Sequence, residues 1–274
     1  MLSLPIILMI LALVAYSTGF IYLLKHTLSK SQPNAFFVWT VLFVGLVLHG
    51  LTLSHDMITP WGINYEVFNL VSFTTGFVLL LGIVFSIYRP VLVLNLLSTP
   101  IAIVGLLMGS LLSTPNQVIR QQGLGIDLHI FLSLLAYAVL FIGAIHAILL
   151  WFQSRELKKK QKKRVWVTLL PSLQTMRSLL FDLTLIGFVL LTVALGLGFF
   201  TIQDFLGQHL AHKTAFSMLS WVIYGVLLLG HWKFGWRGNQ AIQMTLIAFL
   251  VLAVGFIGSK FVLEMMLMRG YSAV

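Results

Sequence analysis

Apolar residues fill eight long stretches of the chain, and short polar connections separate them. A helix rises about 1.5 Å per residue, so about twenty residues cross the roughly 30 Å hydrocarbon core of a bilayer. Continuous runs of this length favour helices over barrel strands, because a helix satisfies its own backbone hydrogen bonds in lipid. The pattern predicts an all-α, polytopic integral membrane helix bundle that forms one domain over 1–274. We place its eight transmembrane helices near 4–24, 36–54, 67–87, 91–112, 127–152, 179–202, 213–234 and 239–266.

The composition supports the membrane interpretation. Of the 274 residues, 59% are hydrophobic and only 9% are charged. A soluble domain needs a far larger share of charged residues, and no stretch is long and polar enough to fold as one. The chain contains no cysteine. It therefore has no disulfide, no thiolate metal site and no thiol exchange chemistry of its own.

Positive charge is concentrated in one connection. Of the 17 Lys and Arg residues, seven lie between residues 155 and 164, after the fifth predicted helix: Arg155, Lys158, Lys159, Lys160, Lys162, Lys163 and Arg164. This clustering is the ordinary signal of a cytoplasmic loop and does not indicate a nucleic acid partner. With the first connection inside, thirteen Lys and Arg residues fall on the cytoplasmic side and four on the other. The sequence therefore predicts that both termini lie outside, with membrane lipid around the helices.

Charge inside the predicted spans gives little support for transport. Ionisable residues within a span are costly and mark proton or ion pathways in pumps and carriers. No acidic residue lies at the middle of a predicted span, and the sequence shows no internal repeat of the kind that builds many transporters. A transporter or ion-homeostasis protein is therefore the least favoured function.

The eight histidines are the most informative polar residues of this apolar chain. The predicted topology places His129 at the outer end of the fifth helix, with His209 and His212 in the outer connection before the seventh helix. His231 ends the seventh helix on the cytoplasmic side, and His146 lies in the last two turns of the fifth. His129 and His146 are seventeen positions apart (129 to 146), about 26 Å along a helix. The histidines therefore belong to two separate groups, an outer one and an inner one.

Imidazoles without cysteine or carboxylate partners suit haem iron, which accepts two axial ligands. Zinc and copper usually recruit three or four ligands, often including Cys, Asp or Glu. The HLAH spacing at 209–212 lacks the glutamate of the metalloprotease motif, so we predict no catalytic residue and no metal beyond haem iron. The alternative for each histidine is a hydrogen-bonded position at a helix interface. We favour that alternative for His49, His55 and His146, and we place His26 in a loop.

The second half of the chain resembles the cytochrome c assembly (CcsA/CcmC-type) membrane proteins, most closely their short eight-helix YpjD- and HemX-like branch. The resemblance is strongest over 127–266. It rests on four stretches in the same order: LHIFLSLLAYAVLFIGAIHAILL, SLLFDLTLIGFVLLTVALGLGF, KTAFSMLSWVIYGVLLLGHWKFGWRG and FIGSKFVLEMM.

The resemblance implies non-covalent haem b bound through two histidines. A histidine at the start of the fifth helix is a haem ligand in that family and corresponds to His129, and one before the GW-G turn corresponds to His231. The tryptophan-rich signature of haem-presenting members is missing, since FFTIQDFLGQHLAHKTAF stands there. His209 or His212 is then the candidate for the second outer ligand, and His146 is a further candidate at the inner site.

Three functions follow, in order of preference. The first is a haem-handling protein of the bacterial inner membrane that is associated with cytochrome c biogenesis, is not an enzyme, and works with other cytochrome c maturation proteins. The second is a HemX-like regulatory or accessory protein, with the basic cluster at 155–164 as the docking loop for a cytoplasmic tetrapyrrole-synthesis enzyme. The third is the transporter or ion-homeostasis protein.

Overall fold

A computed structural model describes residues 3–29, 31–59, 62–88, 91–113, 123–159, 170–201 and 211–255, apart from the side chains of residues 211 and 212. The helices are α1 Leu4–Leu28, α2 Ala35–Met57, α3 Val67–Tyr88, α4 Asn95–Leu112, α5 Leu124–Lys158, α6 Leu173–Thr201, α7 Ala211–Phe234 and α8 Asn239–Ala253. A 3-10 turn, Leu92–Leu94, leads into α4. Two-residue strands β1 Ile58–Thr59 and β2 Gly62–Ile63 pair antiparallel between α2 and α3. The predicted helical class is confirmed.

The helices are long and apolar enough for a membrane. Within the described ranges, seven of them, including α4 with its leading 3-10 turn, have the length and composition of a membrane span. The described part of α8 is shorter, at 15 residues. The prediction that the eighth helix continues to residue 266 concerns residues beyond 255, outside the described part of the chain.

The helices α5 and α6 extend beyond the predicted spans. α5 extends over 35 residues, about 52 Å, and continues past residue 152. Hydropathy falls after Phe152, but the residues that follow include Arg, Glu, Leu and Lys, which favour a helix. α6 begins six residues before the predicted position 179. The Ser172 hydroxyl accepts a hydrogen bond from the Thr175 amide at 3.2 Å, which caps the helix start.

The loop assignment of His26 is wrong. Residues 25–28 continue α1, and His26 lies in its last turn. The His26 Nδ1 lies 2.9 Å from the Tyr22 carbonyl oxygen, and its ring packs against the Tyr22 ring with centroids 4.2 Å apart. Lys25 and His26 suit this position, since cationic groups interact favourably with the carbonyl end of a helix.

The chain divides into two compact units. Unit 1 comprises residues 1–122 and 161–171 and contains α1 to α4. Unit 2 comprises residues 123–160 and 172–274 and contains α5 to α8. The single domain over 1–274 stays a prediction.

Small residues bring the helices of unit 1 close together. Gly105 and Gly109 of α4, four positions apart, face Thr75 and Ser72 of α3. A Cβ at residue 109 would lie 2.7 Å from the Cβ of Ser72, so only glycine allows this approach. Such packing is typical of membrane helices, which associate through close van der Waals contact. The apolar core of the unit has contributions from all four helices: Ala12, Tyr16, Leu23, Val38, Leu42, Leu79, Ile83, Ala102 and Leu106.

In unit 2, α5 packs along α6, and α7 packs along α8. Polar contacts reinforce the second pair. The Ser220 hydroxyl donates to the Ala248 carbonyl at 2.8 Å, and the Tyr224 hydroxyl donates to the Thr245 carbonyl at 3.4 Å. The core between the helices contains Ala136, Leu140, Leu191, Tyr224, Ala248 and Leu252. These contacts fix the helices that carry His129, His146 and His231.

Candidate functional site

Two histidines of α5 contact backbone carbonyls of α6. His129 Nδ1 lies 2.7 Å from the Ala194 oxygen, and His146 Nε2 lies 2.7 Å from the Met176 oxygen. The contacts are seventeen positions apart on α5 (129 to 146) and eighteen on α6 (176 to 194). α5 and α6 are therefore antiparallel, and the two histidines lie about 26 Å apart along α5. His129 of the predicted outer group and His146 of the predicted inner group thus lie toward opposite ends of this helix pair.

The contact of His129 fixes the tautomer of its ring. A carbonyl oxygen only accepts, so the Nδ1–H of His129 donates to Ala194. In the neutral imidazole Nε2 then carries the free lone pair. Histidines that ligate metals commonly donate their other ring N–H to a carbonyl in this way, which orients the ring and raises its basicity. His129 is partly buried and has the arrangement of a ligand.

A glycine turn orients His231, which lies in the last turn of α7. The Gly235 amide donates to the His231 carbonyl at 3.1 Å, and Gly235 has φ 67°, the left-handed conformation that ends many helices. The chain then turns back, and the Trp236 carbonyl lies 3.1 Å from His231 Nδ1. His231 Nδ1–H is therefore the donor, and Nε2 again keeps the lone pair.

An aromatic ring covers one face of the same imidazole. Phe181 of α6 stacks on His231 with ring centroids 3.5 Å apart and planes inclined by 15°. Phe181 is buried, whereas His231 is partly exposed. A metal binds an imidazole nitrogen in the plane of the ring, so a stack on the face does not block the Nε2 lone pair. Turn and stack together orient the His231 ring.

His146 differs from the other two histidines. It is fully buried, and Nε2, the nitrogen that His129 and His231 leave free, donates to Met176. Its Nδ1 has no hydrogen-bond partner among the described residues. Met176 and Phe181 are five positions apart on α6, about 7.5 Å, so His146 and His231 lie toward the same end of unit 2. The geometry favours His231 over His146 as a ligand there.

The remaining histidines have structural partners or lie outside the described part. His49 uses both ring nitrogens, with Tyr16 Oη 3.1 Å from Nδ1 and Ser72 Oγ 2.8 Å from Nε2. It has the interface position that the sequence analysis favoured. His55 is exposed, with its Nδ1 3.2 Å from Asp56 Oδ1. His209 lies outside the described residues, and so does the side chain of His212.

Part of the basic cluster lies on the helical end of α5. The Arg155 guanidinium lies 4.3 Å from the centre of the Trp151 ring, and Lys159 pairs with Glu156. Lys158 ends the helix. The other members, Lys160, Lys162, Lys163 and Arg164, lie outside the described residues. The described cations therefore sit on an extension of α5, held in part by an aromatic contact.

Four partners in these sites could not be expected from the sequence: Phe181 and the carbonyls of Met176, Ala194 and Trp236. Backbone carbonyls leave no signal in a sequence. Phe181 precedes Asp182 in an apolar stretch, and only the rotation of α6 against α7 brings it to His231. The glycines of GWRG were the one available signal, since glycine commonly supplies positive φ at a helix end.

Comparison with known proteins gives the same family as the sequence motifs. The model of the family described as "Cytochrome C assembly protein" matches residues 4–267. The chain is similar to "Inner membrane protein YpjD" of Escherichia coli (strain K12), 29% identical over 261 residues that cover 93% of this chain and 97% of that protein. It is also similar to the "Uncharacterized 28.8 kDa protein in nifR3-like 5'region" of Azospirillum brasilense, 35% identical over 159 residues, 56% of this chain and 58% of that protein. No solved structure matches the chain.

The comparisons also bear on location. The Escherichia coli relative is named an inner membrane protein. The described part of this chain contains seven helices that are long and apolar enough to cross a membrane. The predicted resemblance and the predicted location, as a multi-pass protein of the bacterial inner membrane, are both confirmed.

Proposed function

We propose that this chain, which belongs to the cytochrome c assembly protein family, binds haem b non-covalently in the inner membrane and hands it on during cytochrome c biogenesis. Its role is to hold and position haem, without being an enzyme. The partners we propose are other cytochrome c maturation proteins, which would receive the haem.

One observation carries this proposal. His129 and His231 each donate Nδ1–H to a backbone carbonyl, at 2.7 Å and 3.1 Å, and so keep Nε2 free as an acceptor. His49, at a helix interface, uses both nitrogens instead. His26 also bonds through Nδ1, but to a carbonyl four positions earlier on its own helix, whereas the carbonyls that hold His129 and His231 lie outside their helices. The two rings therefore fit axial ligation of haem iron, one at each end of unit 2.

The chain's own residues would orient the ligands. Ala194 and Trp236 hold the two rings through their carbonyls, and Phe181 closes one face of His231. A porphyrin suits apolar surroundings, and the helices α5, α6 and α7 of unit 2 are long and apolar. Haem, when bound, would supply an iron centre whose potential depends on its axial ligands. We propose that the second outer ligand is His209 or His212.

We also propose the membrane topology. Eight helices would cross the bilayer, with both termini in the periplasm, because thirteen of the 17 Lys and Arg residues then lie inside. In this orientation His129 faces the periplasmic end and His231 the cytoplasmic end. Haem bound at either histidine would then be near one of the two compartments.

The experiment is an absorbance spectrum of the purified protein, as isolated and after incubation with haem b. We expect a Soret band that is weaker by at least half in His231→Ala and in His129→Ala. His26→Ala is the matched control, because His26 bonds only to its own helix and lies in unit 1. A second arm adds imidazole to His231→Gly, which should restore the band.

A folded protein with no Soret band in either condition would contradict the proposal. A band that survives the double variant His129→Ala, His231→Ala would also contradict it, since haem would then bind elsewhere. Size-exclusion chromatography of each variant separates loss of ligation from loss of folding.

A second candidate function rests on the extension of α5. At about 52 Å the helix is longer than the roughly 30 Å hydrocarbon core, so its basic end stands outside the bilayer. A rigid helix that presents Arg155, Lys158 and Lys159 is a suitable docking surface for an acidic partner. The accessory function predicts capture of a cytoplasmic tetrapyrrole-synthesis enzyme, which the triple Gln variant at these positions should abolish. Capture that is unchanged in the triple variant counts against it.

A further inference from the structure

A buried asparagine in unit 1 has no internal partner. Asn69, in the first turn of α3, is 0% exposed, and neither its Oδ1 nor its Nδ2 has a hydrogen-bond partner among the described residues. Buried amide groups in folded proteins are nearly always paired with protein or with ordered water. An amide with both atoms unpaired therefore indicates a bound molecule.

Buried polar groups in this part of unit 1 have partners of their own. Several polar residues are buried near this end of α2 and α3: His49, Thr52, Asn64, Glu66 and Ser72. The Thr52 hydroxyl donates to the Leu48 carbonyl at 2.9 Å, and Asn64 Oδ1 accepts from the Glu66 amide at 3.1 Å. His49 is held between Tyr16 and Ser72. Among the described residues, none of these side chains bonds to the Asn69 amide.

The chain of hydrogen-bonded side chains Ser72, His49 and Tyr16 ends inside unit 1. Its hydrogen bonds run from Ser72 to His49 and on to Tyr16, which belongs to the apolar core with Leu42, Leu79 and Leu106. No polar partner of Tyr16 beyond His49 is found among the described residues of that core. A polar set with a closed end suits retention of a molecule and does not suit conduction across the membrane.

The chemistry of the amide defines the occupant. Oδ1 needs a donor and Nδ2 needs an acceptor, so the occupant must do both. A metal cation cannot accept a hydrogen bond, and a simple anion cannot donate one. Both amide atoms are shielded from bulk solvent, so the occupant is also small. Water meets all three conditions.

The spacing on α3 also fits one water molecule. Asn69 and Ser72 are three positions apart, and side chains at this spacing have Cβ atoms about 5–6 Å apart. A water molecule that makes two hydrogen bonds of about 2.8–3.0 Å joins polar atoms up to about 6 Å apart, so one water can bridge side chains at this spacing. The Ser72 hydroxyl keeps capacity for a further bond beside the one to His49, because a hydroxyl donates once and accepts twice.

We propose that unit 1 holds an internal water molecule that bridges the Asn69 amide to the Ser72 hydroxyl. The water extends the hydrogen-bonded set to four side chains, Asn69, Ser72, His49 and Tyr16, which belong to three helices. It would tie the first turn of α3 to α2 and α1 at a place where direct contacts leave the amide unpaired. This site belongs to unit 1 and does not depend on haem.

The primary test is a density map of the wild-type protein that resolves waters. We expect a peak about 2.7–3.2 Å from Asn69 Oδ1 or Nδ2 and within the same distance of Ser72 Oγ. A map that shows other buried waters but no peak at this position overturns the proposal.

The second test is the midpoint of thermal unfolding. Asn69→Leu has a similar volume but cannot bind the water, and should lower Tm by roughly 2–4 °C. Thr74→Val is the matched control on the same helix, because the Thr74 hydroxyl donates only to the Leu70 carbonyl of its own helix, and its Tm should stay near that of the wild type. If Asn69→Leu has an equal or higher Tm, no water is bound to the Asn69 amide and the proposal is wrong. If Asn69→Leu fails to fold, the wild-type map alone decides.

Discussion

The ring of Phe181 lies parallel to the imidazole of His231, with centroids 3.5 Å apart and planes inclined by 15°. The two residues belong to α6 and α7, so this stack links the helices at the end of unit 2 where the GWRG turn begins. Together with the hydrogen bond from His231 Nδ1 to the Trp236 carbonyl, the stack restricts rotation of the imidazole. Four predictions test this geometry and the proposals that depend on it.

The first prediction concerns Phe181 itself. Phe181→Leu keeps an apolar side chain but removes the stack, so the His231 ring gains rotational freedom. We expect haem to remain bound, with broader low-spin signals in the electron paramagnetic resonance spectrum and a shifted reduction potential. The lost aromatic contact should also cost about 0.5–1.5 kcal/mol of stability. Phe181→Tyr, which keeps the ring, should retain the wild-type spectrum.

Phe188→Leu is the matched control for that substitution. Phe188 lies on the same helix and stacks on Trp221 at 5.6 Å instead of on a histidine. It should change stability by a comparable amount and leave the haem spectrum unchanged. Equal spectral changes in the two variants would show that the stack on His231 has no special role.

The second prediction concerns the turn after α7. A Cβ at residue 230 would collide with the Trp236 ring, and the Trp236 carbonyl holds His231. Gly230→Ala should therefore displace the turn and weaken the Soret band, by up to the loss seen in His231→Ala. Gly225→Ala is the control on the same helix, since its Cβ would meet Phe188 at an ordinary 3.5 Å. An unchanged spectrum for Gly230→Ala would contradict the orienting role of the turn.

The third prediction separates His146 from the ligands. Its removal takes away the hydrogen bond to Met176 and leaves a cavity between α5 and α6. His146→Ala should lower the free energy of unfolding by roughly 2–4 kcal/mol, measured by denaturant titration in detergent. The Soret band per folded molecule should stay near that of the wild type. A selective loss of the band at full stability would instead identify His146 as a ligand.

The fourth prediction concerns topology and uses the absence of cysteine, which makes every introduced thiol unique. His55 and Ser29 are both exposed, at opposite ends of α2. His55→Cys should react with a membrane-impermeant maleimide in spheroplasts. Ser29→Cys and Lys159→Cys should react only after the membrane is permeabilised. The reverse pattern would place both termini in the cytoplasm.

The helices could largely be predicted from the sequence, because hydropathy and the thickness of a bilayer fix where an apolar span lies. The ends of α5 and α6 could not, since the polar residues there favour a helix as strongly as the apolar ones do. His26 was misplaced for the same reason, as α1 continues beyond its apolar stretch to Leu28.

The candidate site could be predicted only in outline. The helical rise alone separates His129 from His146 by about 26 Å. Which ring nitrogen stays free depends on whether the other nitrogen donates to a backbone carbonyl. Every residue type has such a carbonyl, so the contacts to Ala194 and Trp236 cannot be read from the sequence. The lack of a protein partner for the Asn69 amide likewise depends on how α3 is rotated about its axis. A helix that is apolar on all sides gives no sequence signal for that rotation.

The two hydrogen bonds between α5 and α6 have a mechanical consequence. His129 Nδ1 and His146 Nε2 donate to two backbone carbonyl oxygens of α6, each at 2.7 Å, toward its opposite ends. Sliding α5 along α6 by one helical turn, about 5.4 Å, would break both hydrogen bonds together. The two histidines therefore set the axial position of α5 against α6 at both ends of the pair.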